Sequence, residues 1–223
     1  MFNETATMAS SGTLSCSFKV VTLGRCDAGK TCLVTRYACG QFAEKSESTI
    51  GAAFVSKKIQ ALGKRVTLNI WDTAGSERYQ SMAKMYYRGA RAAILCYDLT
   101  DKSSFEKIRY WVGELQENEQ YCRMYICGTK KDLIDNDPNA RAVSENEAQV
   151  IAEDLQTALF ETSSLTGENV DTVFQRIGED YVKNMHSYPE NQPKTKDDDN
   201  ETFQVHKTEN TQTSSSCMSC FKR

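Results

Sequence analysis

The stretch Gly24-Arg25-Cys26-Asp27-Ala28-Gly29-Lys30-Thr31 follows directly on the apolar run of residues 18–23. A strand therefore runs into a glycine-rich turn that opens a helix, the setting in which the spacing G-x-x-x-x-G-K-[ST] forms a phosphate-binding loop. Backbone N–H groups of such a loop converge on phosphate oxygens, and the helix N-terminus adds partial positive charge. Lys30 neutralises β- and γ-oxygens, and the Thr31 hydroxyl is a candidate ligand for Mg2+. Asp27, Ala28, Gly29, Lys30, Thr31 and Cys32 are thus the candidate contacts to a nucleoside triphosphate.

Outward from the loop, residues 31–38 read as a helix ended by Gly40, and the polar residues 41–48 as a mobile loop. Residues 53–60 and 65–71 read as strands joined by the turn Leu62-Gly63-Lys64, the second alternating Val66, Leu68 and Ile70 with polar partners. The continuously apolar residues 92–97 predict a central strand covered on both faces, and Ser103-x-x-Glu106 a capping box opening a helix to about residue 119. Residues 123–128 and 158–161 are further strands, Ser144-x-x-Glu147 caps a helix to about residue 155, and residues 170–183 form an amphipathic helix. The alternation spells an α/β fold: a mostly parallel six-stranded sheet flanked by helices, of the P-loop NTPase class. Residues 17–183 make one domain; residues 1–16 and 184–223 have compositions too poor in large apolar residues to offset chain entropy and are expected to be disordered.

With 223 residues and 39% hydrophobic content, the chain holds one substantial core plus tails. A formal net charge of −3 offers no general attraction to nucleic acid or anionic lipid, which argues against a nucleic-acid partner. The start shows neither a signal peptide nor the Gly needed for N-myristoylation, and no apolar run approaches the roughly 20 residues of a bilayer-spanning helix. Nine scattered cysteines without an export signal read as reduced thiols in the cytosol, most of them filling the core.

The choice among kinases, ATPases and GTPases turns on further segments. Asp72, in Trp71-Asp72-Thr73-Ala74-Gly75, ends an apolar strand where a carboxylate can hold Mg2+ through water, and Gly75 lets its N–H approach the γ-phosphate. In Thr129-Lys130-Lys131-Asp132, Asp132 can accept from guanine N1–H and the exocyclic amine together, whereas adenine would leave that carboxylate unpaired. Lys130 would lay its stem along the purine face. Ser163 and Ser164 follow the last strand, and the Ser164 N–H can reach guanine O6.

These residues, with Ser48-Thr49-Ile50-Gly51-Ala52-Ala53-Phe54, Glu77-Arg78-Tyr79, Met85-Tyr86-Tyr87-Arg88-Gly89-Ala90 and Tyr97-Asp98-Leu99-Thr100, resemble the Rab family of small GTPases, in the Ras-like superfamily, over residues 18–183. The resemblance implies that Thr49 is the switch threonine reaching Mg2+ and the γ-phosphate in the GTP state, and Phe42 the aromatic packing against guanine. It implies that Phe54, Trp71 and Tyr86 form an exposed effector triad. A monomer is implied, with effectors, an exchange factor, an activating protein, a GDP-dissociation inhibitor and a prenylation escort as partners.

Several positions depart from the family pattern. Ser76 stands where a Gln orients the attacking water, and its side chain is too short for that task, so hydrolysis is expected to be slow. Asp27 sets a carboxylate beside the polyphosphate unless it turns to solvent. Thr129 replaces Asn, with the expected loss of a donor to the base edge and of a brace to the phosphate loop; Leu165 replaces the usual Lys of the last motif. With Ala52-Ala53, these departures resemble the divergent Rab twenty-four branch, which implies autophagy-related membrane traffic. Cys217 and Cys220 near the C-terminus resemble prenylation sites, implying a cytosolic pool plus peripheral attachment to intracellular membranes. The residues leave two readings open: a GTP-hydrolysing switch acting through Ser76, Gly75, Lys30 and Thr49, or a nucleotide-binding scaffold controlled by exchange or modification. A small-molecule P-loop kinase fits less well, for want of an arginine-rich lid segment.

Overall fold

A computed structural model describes residues 15–42, 48–76 and 80–188, with backbone only for 80–83. Glu77-Arg78-Tyr79, Cys217, Cys220 and both terminal extensions apart from residues 15, 16 and 184–188 lie outside the described residues. The elements are β1 (Ser15–Leu23), α1 (Lys30–Cys39), β2 (Ala52–Ala61), β3 (Lys64–Thr73), α2 (Gln80–Tyr87), β4 (Ala92–Asp98), α3 (Lys102–Asn118), β5 (Arg123–Thr129), α4 (Lys131–Asn136), α5 (Glu145–Asp154), β6 (Leu159–Glu161) and α6 (Val170–Asn184). The sheet order is β2-β3-β1-β4-β5-β6, with only the β2–β3 hairpin antiparallel. β1 is paired with β3 on one side and β4 on the other, so the strand order reverses there; in open α/β sheets that switch point is where ligands bind.

The two-residue alternation of the strands divides the core. Val20, Ile94 and Cys96 face a layer with Leu33, Val34, Phe174 and Ile177 of α1 and α6. Their chain neighbours Val21, Leu95 and Tyr97 face Phe105, Ile108 and Leu115 of α3 and Ile151 of α5.

The capping box at Ser144 is present as expected: its hydroxyl accepts from Glu147 N–H, and the Glu147 carboxylate accepts from Ser144 N–H. For α3 the expectation is corrected by two positions. Asp101 is the cap, its carboxylate accepting from Ser103 N–H at 3.0 Å, because a carboxylate two residues earlier meets the helix start before Ser103 can. The short α4 has no counterpart in the expected pattern; Lys130 enters it in the left-handed region at φ 62°. Among the seven described cysteines, all free thiols, Cys96, Cys122 and Cys127 are buried and Cys16 packs against the core, while Cys26, Cys32 and Cys39 are more accessible.

The domain also runs beyond residue 183. A 3-10 turn, Met185–Ser187, brings Tyr188 onto the core, 7% exposed. Its ring stacks on Tyr181 at 5.2 Å, Tyr181 stacks on Phe18 of β1 at 3.9 Å, and the Arg91 guanidinium lies 5.1 Å from the Tyr188 ring centre. Burial of one aromatic outweighs the polar composition around it. Tyr188→Ala should cost about 2 kcal/mol, whereas Tyr188→Phe should stay within about 0.5 kcal/mol of the parent; urea unfolding measures both.

Candidate functional site

At the end of β1 the chain turns at Gly24, where φ is 149° and any Cβ would collide with the Cys96 carbonyl of β4. The loop is thus seated directly on the sheet. Its carbonyls then turn inward: Lys30 Nζ donates to Arg25 O at 2.7 Å and to Gly24 O at 3.2 Å. Lys30 is only 5% exposed, and burial lowers its pKa, opposed by charges that include Asp72. A buried ammonium with only neutral carbonyls at its head is a site for an anion.

Asp72, at the C-terminal end of β3, is 2% exposed, and burial raises its pKa against the hydroxyls of Thr31 and Thr22. Thr22 Oγ1 donates to Asp72 Oδ1 at 3.1 Å, and Thr73 Oγ1 to Thr22 O at 2.6 Å, which locks the carboxylate between neighbouring strands. The hydroxyls of Thr31 and Thr49 lie 2.9 Å apart. Thr31, Thr49 and Asp72 thus offer hard oxygen donors, the chemistry that suits Mg2+.

A cavity of about 230 Å3 opens over Lys30, Thr31 and Thr49, while Asp72 is buried and is not among its lining residues. Of the residues expected from sequence, Asp27, Gly29, Lys30, Thr31, Cys32, Thr49, Gly75, Ser76 and Lys130 line it, joined by Cys26, Ser48 and Thr73. Gly75 approaches so closely that a Cβ there would strike Lys30 Nζ, Arg25 O and Cys26 N, so only glycine lets this backbone reach the loop. Asp27 is exposed at the rim, in the left-handed region at φ 61°. Ala28 is buried behind the loop, and Phe42 is more than one-third exposed, outside the cavity lining.

Beyond Lys130 the base end takes shape. Ser163 Oγ donates to Asp132 Oδ1 and accepts from Thr166 N–H at 3.1 Å; Lys131 N–H donates to Thr162 O at 3.0 Å, binding the loop after β6 to that after β5. Ser164 is buried, whereas Leu165 is 48% exposed and brings no polar side-chain atom. Arg36 of α1 donates to Thr166 O at 2.9 Å and so steadies this loop.

The expected loss of a brace at Thr129 is overturned. Its side chain is buried, and Oγ1 lies 3.1 Å from Ala28 O in the phosphate loop and 3.0 Å from Tyr97 O on β4. A hydroxyl on a β-branched side chain reaches the loop carbonyl, so the tie survives the replacement of an amide. Its proton is engaged by these carbonyls. Thr22 and Asp101 were not singled out from the sequence, and Thr73 and Asp98 entered it only inside motif stretches with no role of their own; Thr22, Thr73 and Asp98 stand at strand ends beside the loop and Asp101 at the cap of α3.

On the outer face Phe54 meets Trp71 edge-on at 5.4 Å, and Trp71 meets Tyr86 at 6.2 Å. Phe54, Ile50 and Met85 are exposed. Lys19 Nζ sits 4.8 Å from the Trp71 ring centre and donates to Arg88 O, fixing the ring from behind.

A model of the Ras family matches residues 19–183. The chain is 51% identical over 165 residues to the Ras-related protein Rab-24 of Dictyostelium discoideum, covering 74% of this chain and 81% of that one. It is 46% identical over 171 residues to the Ras-related protein RABF2a of Arabidopsis thaliana, covering 76% and 84%, and 45% identical over the same length to RABF2b of that plant.

Thr129→Val keeps the shape and removes the hydroxyl. It should lower the unfolding free energy by about 1–2 kcal/mol, while Thr129→Ser should retain most of it; urea unfolding in one fixed buffer compares the three proteins.

Proposed function

The chain belongs to the Ras family, as a small GTPase of the Rab type, and from that premise we propose a guanine-nucleotide switch of membrane traffic that hydrolyses GTP slowly. One observation carries the nucleotide site: the buried Lys30 ammonium, the paired hydroxyls of Thr31 and Thr49, and Gly75 converge around one cavity, with the buried Asp72 carboxylate hydrogen-bonded to Thr31. When bound, Mg2+ neutralises charge on the β- and γ-phosphates, and Thr31, Thr49 and Asp72 are the residues to hold it. Lys30 and the loop N–H groups bind the remaining phosphate oxygens. Asp132, oriented by Ser163, accepts from guanine N1–H and its amine, and Lys130 lies along the base.

Thr49 and Gly75 report the γ-phosphate, since both stand at the cavity and each begins a segment leading to the aromatic triad. Losing the γ-phosphate releases them and with them the surface of Phe54, Trp71 and Tyr86 that effectors read. Ser76 lines the cavity but has one short hydroxyl, which cannot span from water to phosphate; this favours a long-lived GTP state. We assign the likeness to Rab-24 a role in autophagy-related traffic, and Cys217 and Cys220 a prenyl attachment to intracellular membranes. A single prenyl group gives only marginal, reversible attachment.

Two outcomes test this reading. Freshly purified protein analysed for bound nucleotide should contain guanine and not adenine nucleotides, and Asp132→Asn should move preference toward xanthine, whose 2-oxo group meets an amide donor; equal binding of ATP and GTP by the parent would sink the assignment. In single-turnover phosphate release, Ser76→Gln should hydrolyse GTP at least severalfold faster than the parent, and a parent as fast as a Gln-bearing relative removes Ser76 as the bottleneck.

A further inference from the structure

The turn of residues 98–104, from the end of β4 into the first turn of α3, lies between the phosphate loop and the base motif and belongs to neither. At one end Asp98 receives Lys130 Nζ at 2.7 Å, while its Oδ1 accepts from Thr100 N–H and the Thr100 hydroxyl at 2.8 and 2.7 Å. At the other end Arg25 Nη1 donates to Asp101 Oδ2 at 2.8 Å and to Ser103 Oγ at 2.7 Å. The turn is tied internally as well: Ser104 Oγ accepts from Asp98 N–H at 2.9 Å and donates to Asp101 O at 2.7 Å.

Of the two residues whose side chains the turn grips, one lines the cavity and the other adjoins it through its backbone. Lys130 lines it, and the Arg25 carbonyl is one of two anchors of the Lys30 ammonium, with the Gly75 backbone packed against it. We infer that this turn is a positioning element for the nucleotide: through Arg25 it sets the phosphate loop, and through Asp98 it sets the lysine along the base. Asp98, Asp101 and Ser103 act without touching the nucleotide themselves. The two grips differ in setting. Arg25 and Asp101 are half-exposed, so their pair is weak alone and screened by salt; Asp98 is buried, so its grip on Lys130 is less salt-sensitive. The inference rests on the guanine-nucleotide reading of the same site.

Release of a fluorescent GDP analogue from the full chain tests it. Arg25→Ala and Asp101→Asn should each speed release, Arg25→Ala about threefold and Asp101→Asn by no more than that, and the double variant should be no faster than Arg25→Ala, because Asp101 acts on the loop only through Arg25, whose other contact is to Ser103. Asp98→Asn, which keeps an acceptor for Thr100, should also give about threefold, and combined with Arg25→Ala about ninefold, because the grips are separate. Arg25→Lys should recover part of the parent behaviour, and raising salt should narrow the gap between parent and Arg25→Ala. Unchanged release in Arg25→Ala and Asp101→Asn, or effects of those two that multiply, overturns the inference while leaving the functional reading intact. A parent that never loads GDP overturns both.

Discussion

Everything at the cavity depends on one ammonium group held away from water. Lys30 is buried beneath its own loop, and the groups that accept from it are peptide carbonyls, which carry partial charge only. Those carbonyls compensate a fraction of what the charge loses on leaving water. The loop therefore stays poised for an anion, and the surrounding features follow from keeping it so. Gly24 seats the loop on β4, Thr129 ties its Ala28 carbonyl from behind, and Gly75 closes on it from the front. Asp72 is the counterweight: a second buried charge of opposite sign, held by hydroxyls, beside the point where a divalent cation is wanted.

How much of this was legible in the sequence depended on range. The loop, the hairpin, the buried central strand and the cap at Ser144 are set by neighbours within a few residues, and local spacing revealed them. Asp101 escaped because Asp and Ser are both good caps and lie two positions apart; only the backbone decides which comes first. Thr129 was misjudged for a different reason. The sequence shows that an amide is missing, but not that the Ala28 carbonyl sits 3.1 Å from the hydroxyl that replaces it. Tyr188 lies in polar surroundings, and its burial comes from Tyr181 and Arg91, the latter nearly a hundred residues away. Long-range partners of single side chains leave no periodic trace.

The departures from the family pattern fall into distinct groups. Thr129 retains a structural tie to the phosphate loop through its hydroxyl. Asp27 is at the exposed rim, where water weakens its repulsion of phosphate. Leu165 is solvent-facing and offers the base nothing polar. Ser76 lines the cavity together with Asp27, beside Gly75.

The stack of Phe18, Tyr181 and Tyr188 has a mechanical consequence. Tyr188 is the last described residue, and its ring lies beside Arg91 at the entry to β4. Phe18 lies five positions before the end of β1, roughly 17 Å along the strand from the phosphate loop. A pull on the C-terminal segment thus enters through aromatic faces and the central strand, loaded in shear across ladders on both sides. The segments around Thr49 and Gly75 lie off that line of force. Tension applied at Tyr188 is borne by the sheet rather than by the segments around Thr49 and Gly75.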